Sequence, residues 1–284
     1  MTTADELLNR SMIDIRDSIA QGATSAVEVT DAAIAQAVRF DDDHNLFLTL
    51  AADEARSSAK AVDDARAAGE PLGPLAGVPI TIKDNVDVAD MPGTAATMVL
   101  KDRVPTQDAT VVAKLRAAGA VILGKVNMHE MAMGGTSINP HTGTVGNPWD
   151  RGRIAGGSSG ASAACVALRI GYGSLGTDAG GSVRIPSSCC GTVGFKQTHG
   201  LVSLSGGMPT TTQHVDHIGP HTRTVADARL MLEIMAGYDE TDPHSTQTVA
   251  EAAEPRSDLA GVVVGLPEDY FWADLDPEVA RECR

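Results

Sequence analysis

Gly77-Val78-Pro79-Ile80-Thr81-Ile82-Lys83-Asp84-Asn85 is the stretch on which the reading of this chain turns. Residues 78–82 are apolar or β-branched without polar alternation, which predicts a short strand buried on both faces. Such a strand would carry Lys83 at its end into an apolar interior. Upstream, Gly69-Glu70-Pro71-Leu72-Gly73-Pro74 is a break. Before it, residues 3–68 place apolar side chains at helical spacing, for example Ile15 and Ile19, then Val29, Ala33 and Ala37. Residues 53–68 read as an Ala-rich helix with interleaved charges. Downstream, residues 110–118 predict a helix closed by Gly119, and residues 120–123 a second buried strand ended by Gly124. Helix, glycine and buried strand in that order point to α/β layering.

Farther along, residues 158–168 predict a tightly packed interior helix, whereas 128–139 and 203–213 read as loops. Residues 225–237 predict a helix capped by Thr224 and ended by Gly237. Residues 261–266 read as a final buried strand. Asp276 and Pro277 suit the N-cap and first position of a helix, but only 278–284 remain to build it. The expectation is a chain that stops inside an element.

A chain of 284 residues can bury a substantial core, as one large domain or two small ones. The net charge of −15 argues against a nucleic-acid surface and against anionic membranes. Cys165, Cys189, Cys190 and Cys283 form neither a disulfide framework nor a CxxC pair, so reduced thiols are expected. The N-terminus is acidic and lacks a signal-peptide pattern. No apolar run reaches the ~20 residues of a membrane span. A cytoplasmic location is the expectation.

Two motifs mislead. Gly171-Tyr172-Gly173-Ser174-Leu175-Gly176 spells GxGxxG, but an Ala-rich helical pattern precedes it where a nucleotide fold needs a strand. His129-Glu130 begins like HExxH, yet Met133 stands where the second histidine belongs. His214, His217 and His221 would converge only on a helix, which Gly219-Pro220 opposes. No metal site is expected.

Two serine-bearing glycine clusters follow the lysine strand: Gly156-Gly157-Ser158-Ser159-Gly160 and Asp178-Ala179-Gly180-Gly181-Ser182. Read singly, Lys83 is a surface lysine at a strand end, and each cluster is a tight turn. Together they supply a parts list for acyl transfer: a base, hydroxyl nucleophiles, and backbone amides freed by glycine. Serine needs a base beside it, and a buried lysine can serve when desolvation lowers its pKa from ~10.4.

At this point the chain resembles the amidase signature family. The resemblance rests on Lys83 within GVPITIKDN, Ser158 within GGSSGASAA, and Ser182 within GTDAGGSVRIPSSCCG. It continues through Gly124-Lys125-Val126-Asn127-Met128-His129-Glu130, Gly146-Asn147-Pro148-Trp149 and Asp216-His217-Ile218-Gly219-Pro220. The implied fold is α/β, an amidase-signature mixed β-sheet core flanked by helices on both faces. Residues 1–284 would be one domain, with 1–70 a helical portion packed on the core. The resemblance implies a Ser–cis-Ser–Lys triad: Ser182 as nucleophile, Ser158 after a cis peptide as proton relay, and Lys83 as base. Backbone amides of Ala179, Gly180, Gly181 and Ser182 would hold the oxyanion, with Met133 and Gly134 beside the substrate.

The sequence departs from the family pattern at Ala161, where glycine is usual, and at Gln197, where proline usually follows Lys196. Family members also continue well beyond this length. The function implied is hydrolysis of a small carboxamide to acid and ammonia through an acyl-enzyme, without metal or organic cofactor. Its partner is the small-molecule amide, with no direct nucleic-acid contact and no membrane, and a homodimer is compatible with this reading. Two alternatives stand beside it. One is the glutaminase component of a tRNA-dependent glutamine amidotransferase, for which Asp-Gln-Ile would be expected at 216–218. The other is an inactive fragment.

Overall fold

The computed structural model describes residues 3–208, 214–247, 258–266 and 270–283. They belong to two compact units, Met1–Ala250 and Glu251–Arg284. The first opens on three helices, α1 (Ala4–Asn9), α2 (Met12–Ala20) and α3 (Ala26–His44). Each starts with a reciprocal cap, Thr3 with Glu6, Ser11 with Asp14 and Ser25 with Glu28. A cap of this kind contributes about 1 kcal/mol, so these starts are written locally in the sequence. On α3, Val29, Ala33 and Ala37 are buried, and on α4 (Ala52–Ala67) Ala55 and Ala59 are. Small side chains let the two helices pack closely.

Between them lies β1 (Phe47–Leu50), inside a region expected to be wholly helical. Asn45 ends α3 in the left-handed region, and Asp41 Oδ1 accepts the Leu46 and Phe47 amides. That turn directs the chain onto a sheet edge, where pairing overrides local propensity.

The sheet continues with β2 (Pro79–Lys83), α5 (Thr110–Ala117), β3 (Val121–Val126), α6 (Gly160–Ala167), β4 (Gly173–Asp178), α7 (Arg184–Cys190), β5 (Val193–Gly194), β6 (His217–Thr222) and α8 (Val225–Met235). Strand order is β1-β3-β2-β4-β6-β5. The central β3, β2 and β4 are parallel, and the flanking pairs are antiparallel. This is the mixed α/β architecture expected, and β2, β3 and β4 are buried along their whole length. In open parallel sheets, ligand sites lie outside the carboxyl ends of the strands. Here the carboxyl ends of β2 and β4 carry Lys83 and Asp178.

One detail differs from the expectation, and two elements, β6 and α7, arise where none was expected. Gly124 does not end β3; the strand runs through it to Val126. A Cβ at 124 would stand 2.0 Å from Thr49 O, so this glycine marks the close approach of β1. β6 forms despite Gly219 and Pro220, because β4 and β5 pair with it on either side and the Pro220 carbonyl still accepts Phe195 N–H. A helix, α7, follows the second glycine cluster although it contains Pro186, which sits in its first turn where no donor is needed.

The helix at 225–237 is found as α8, with Thr224 Oγ1 accepting Asp227 N–H. Lys114 Nζ donates to Met235 O and Ala236 O, satisfying carbonyls at its end.

In the second unit, α9 (Pro277–Glu282) follows an Asp276 cap that accepts Glu278 N–H, with proline at the helix start. The strand expected at 261–266 is absent: that stretch has no ladder partner among the described residues, and Val263 is 95% exposed. A β-branched run becomes a strand only where another strand meets it.

Candidate active site

β2 delivers Lys83 fully buried at its carboxyl end. Its Nζ stands 2.7 Å from Ser158 Oγ and 2.7 Å from Thr177 Oγ1. Among the described residues no carboxylate lies within ion-pair distance of it. Burial therefore holds its pKa well below the ordinary lysine value; the more distant Asp178 and Asp216 pull upward without cancelling this. Asn85 Nδ2 donates to the same Thr177 hydroxyl at 3.1 Å.

Ser158 follows a cis peptide after Gly157. A Cβ on Gly157 would lie within 2.7–2.9 Å of Thr136 N, Ser137 N and Gly134 O, so the turn bearing Met133 and Gly134 is folded directly over this peptide. The next residue, Ser159, anchors the turn to β4. Its Oγ accepts Thr177 N–H and donates to Thr177 O, both at 3.2 Å, as a strand neighbour would. Its own amide donates to Ser182 O at 3.3 Å. Lys83, Ser158 and the Ser182 segment thus meet at one end of β2 and β4. No hydrogen bond joins the Ser158 and Ser182 hydroxyls among the described contacts.

The turn from Asp178 to Arg184 is organised by the Asp178 carboxylate. Oδ1 accepts Gly181 N–H at 2.8 Å, and Oδ2 accepts Val183 N–H at 3.1 Å. Arg184 donates to both oxygens, at 2.9 and 3.0 Å. Burial alone would raise this carboxyl; the Arg184 bonds and the amides outweigh it and hold it below the usual range. Gly181, at φ +125°, is thus turned onto Asp178 and its amide is committed there. The amides of Ala179, Gly180 and Ser182 meet no acceptor among the described residues. Three free N–H groups around a serine are suited to an oxyanion.

Met133 is exposed, and Gly134 packs where a Cβ would strike the His129 imidazole. Residue type and spacing alone give no role to Thr177, Asp178, Arg184 or His217. Thr177 and Asp178 lie inside a quoted motif, but their contacts come from β2, α6 and α7, which spacing does not reveal.

The misleading motifs have plain structural roles. Gly173 and Gly176 sit within β4, where added Cβ atoms would strike the Met231 thioether and the His221 imidazole. Among the described residues, no group of three or more His, Cys, Asp or Glu side chains is placed to hold a metal ion. No helix among them is long and apolar enough to cross a membrane.

The family model described as Amidase matches residues 28–284. The glutamyl-tRNA(Gln) amidotransferase A subunit of Gloeobacter violaceus is 44% identical over 274 residues, covering 95% of this chain and 55% of that protein. Among solved structures, the native peptide amidase of Stenotrophomonas maltophilia superposes with TM-score 0.81 at 32% identity, covering 86% of this chain and 51% of that one. A chain from a vestigial protein complex bearing on the origins of an s-triazine catabolic enzyme gives TM-score 0.82 at 40% identity, covering 84% and 52%. The chain spans about half the length of these relatives.

Proposed function

Because this chain belongs to the amidase signature family, we propose that it carries the catalytic groups of an amidase that hydrolyses a small carboxamide to the acid and ammonia. Ser182 Oγ attacks the carbonyl carbon and passes its proton through Ser158 to the neutral amine of Lys83. The oxyanion rests on the Ala179, Gly180 and Ser182 amides, and Met133 and Gly134 border the acyl group. Lys83 then returns the proton through Ser158 to the departing nitrogen, and water repeats the sequence on the acyl-enzyme. This chemistry asks for no metal or organic cofactor.

The observation that supports it most is the 2.7 Å contact between Ser158 and a lysine with no carboxylate at ion-pair distance among the described residues. A base must be neutral to accept a proton, and desolvation supplies that state. Loss of one oxyanion donor typically costs ~2.7–4 kcal/mol of barrier, so the free amides carry much of the expected rate.

The test is turnover of a simple aryl amide, with fluorophosphonate labelling, in Lys83→Ala, Ser158→Ala and Ser182→Ala. All three should lose turnover, and Ser182→Ala should lose the label. Full activity of Ser182→Ala would end this assignment.

A second reading, the glutaminase component of a tRNA-dependent amidotransferase, is favoured by the 44% identity to such a protein. His217 within Asp216-His217-Ile218 speaks for the free-standing amidase. Glutaminase activity that arises only with partner proteins would decide for the second.

A further inference from the structure

Pairing between β4 and β6 ends with Asp178 opposite His217. Beyond that point the ladder no longer holds the chain, and the His217 side chain continues the contact. Its Nδ1 lies 2.9 Å from Val215 O and 3.3 Å from Asp178 O, while Nε2 lies 3.2 Å from Lys196 Nζ. Carbonyls only accept and an ammonium only donates, so these partners set the tautomer: Nδ1 carries the proton and Nε2 accepts. Burial and the Lys196 charge lower the imidazole's pKa, which favours this neutral form.

The peptide joining Asp178 to Ala179 is trans. In a trans peptide the C=O and N–H point to opposite sides of the chain. Drawing the Asp178 carbonyl towards the imidazole therefore turns the Ala179 N–H the other way. That N–H is one of the three in this turn that meet no acceptor among the described residues.

We infer that His217 is a positioning residue for amide hydrolysis, whose Nδ1–H sets the Asp178–Ala179 peptide plane and so aims the Ala179 amide as an oxyanion donor. The inference rests on the reading that Ser182 attacks and that the amides of this turn receive the oxyanion.

Two substitutions separate this role from a merely structural one. His217→Asn keeps a side-chain N–H near the place of Nδ1, whereas His217→Leu keeps volume without a donor. For each, kcat and KM for an aryl amide are measured, together with affinity for an aldehyde analogue that forms a tetrahedral adduct on serine. His217→Leu should lose about ten- to a hundred-fold in kcat and in analogue affinity, with KM within about two-fold, and His217→Asn should recover most of the loss. Unchanged kcat and analogue affinity in His217→Leu overturn the inference. Equal losses in the Leu and Asn variants also overturn it, because they trace to packing. Full turnover by Ser182→Ala removes instead the reading on which the inference rests.

Discussion

Lys83 and Lys125 occupy adjacent parallel strands, both fully buried, and among the described residues only Lys125 of the two meets a carboxylate. Lys125 Nζ lies 3.4 Å from Asp84 Oδ1 and donates to the carbonyls of Asp84 and Pro92 at 3.2 and 3.3 Å. Lys83 meets two hydroxyls instead. Burial lowers both lysines, but the Asp84 charge opposes it at Lys125, and nothing so close opposes it at Lys83. The pair divides into a structural cation and an amine poised to lose its proton.

For Lys83 the active form is neutral, so kcat/KM should rise with pH through its pKa and then level off. That rise should lie below the ~10.4 of an ordinary lysine. Lys83→Arg keeps a permanent charge and should be inactive at every pH. A pH–rate profile checks both, and a rise that begins only near ~10 would exclude Lys83 as a desolvated base.

Lys125→Met should act on stability. It leaves the Asp84 carboxylate buried with Thr94 and Ala96 as its donors among the described residues, a loss of about 3–5 kcal/mol. The double variant with Asp84→Asn should recover part of this. Urea unfolding of the two variants measures the difference, and a neutral Lys125→Met would contradict the ion-pair role.

His221 is buried against Ser187 Oγ at 2.8 Å, and its Nε2 has no hydrogen-bond partner among the described residues. Burial, reinforced by Lys83, lowers its pKa to about 3. The unfolded chain, with histidine near ~6.5, takes up a proton that the folded state refuses. Stability from this group is therefore complete above about pH 6.5 and is lost as pH falls towards about 3. Thermal unfolding across that window should decline less steeply for His221→Gln. An identical slope in both proteins would assign the acid sensitivity elsewhere.

Gly157→Ala should be severe, because the added Cβ meets backbone atoms of Gly134, Thr136 and Ser137, which cannot rotate away. Overpacking of this kind costs about 1–3 kcal/mol, and displacement of Ser158 from Lys83 should cost activity as well. Gly180→Ala meets nothing within 4 Å among the described residues and should fold normally. Circular dichroism melts and turnover of the two variants provide the comparison. Equal behaviour would mean the turn over Gly157 yields more than its contacts indicate.

The helices were largely legible because their determinants are local: the Ser/Thr caps of α1 to α3, Thr224 before α8 and Asp276-Pro277 before α9. β2 and β3 were legible as apolar runs. β1 and β6 were not, since a four-residue edge strand and a strand containing Gly219-Pro220 exist only through their partners. Residues 261–266 teach the converse, a strand-like run without one. At the site, Lys83, Ser158, Ser182 and the glycines were visible by residue type. Thr177, the Asp178–Arg184 clamp and His217 were not, because each acts through contacts distant in sequence.

From the sequence alone came the inventory of groups, their order along the chain and the local capping of helices. The tertiary structure decided which buried lysine keeps a counterion. Asp84 follows Lys83 directly, so sequence proximity would pair them. Successive side chains at a strand end leave on opposite sides, and Asp84 is carried to Lys125 while Lys83 is left to Ser158 and Thr177.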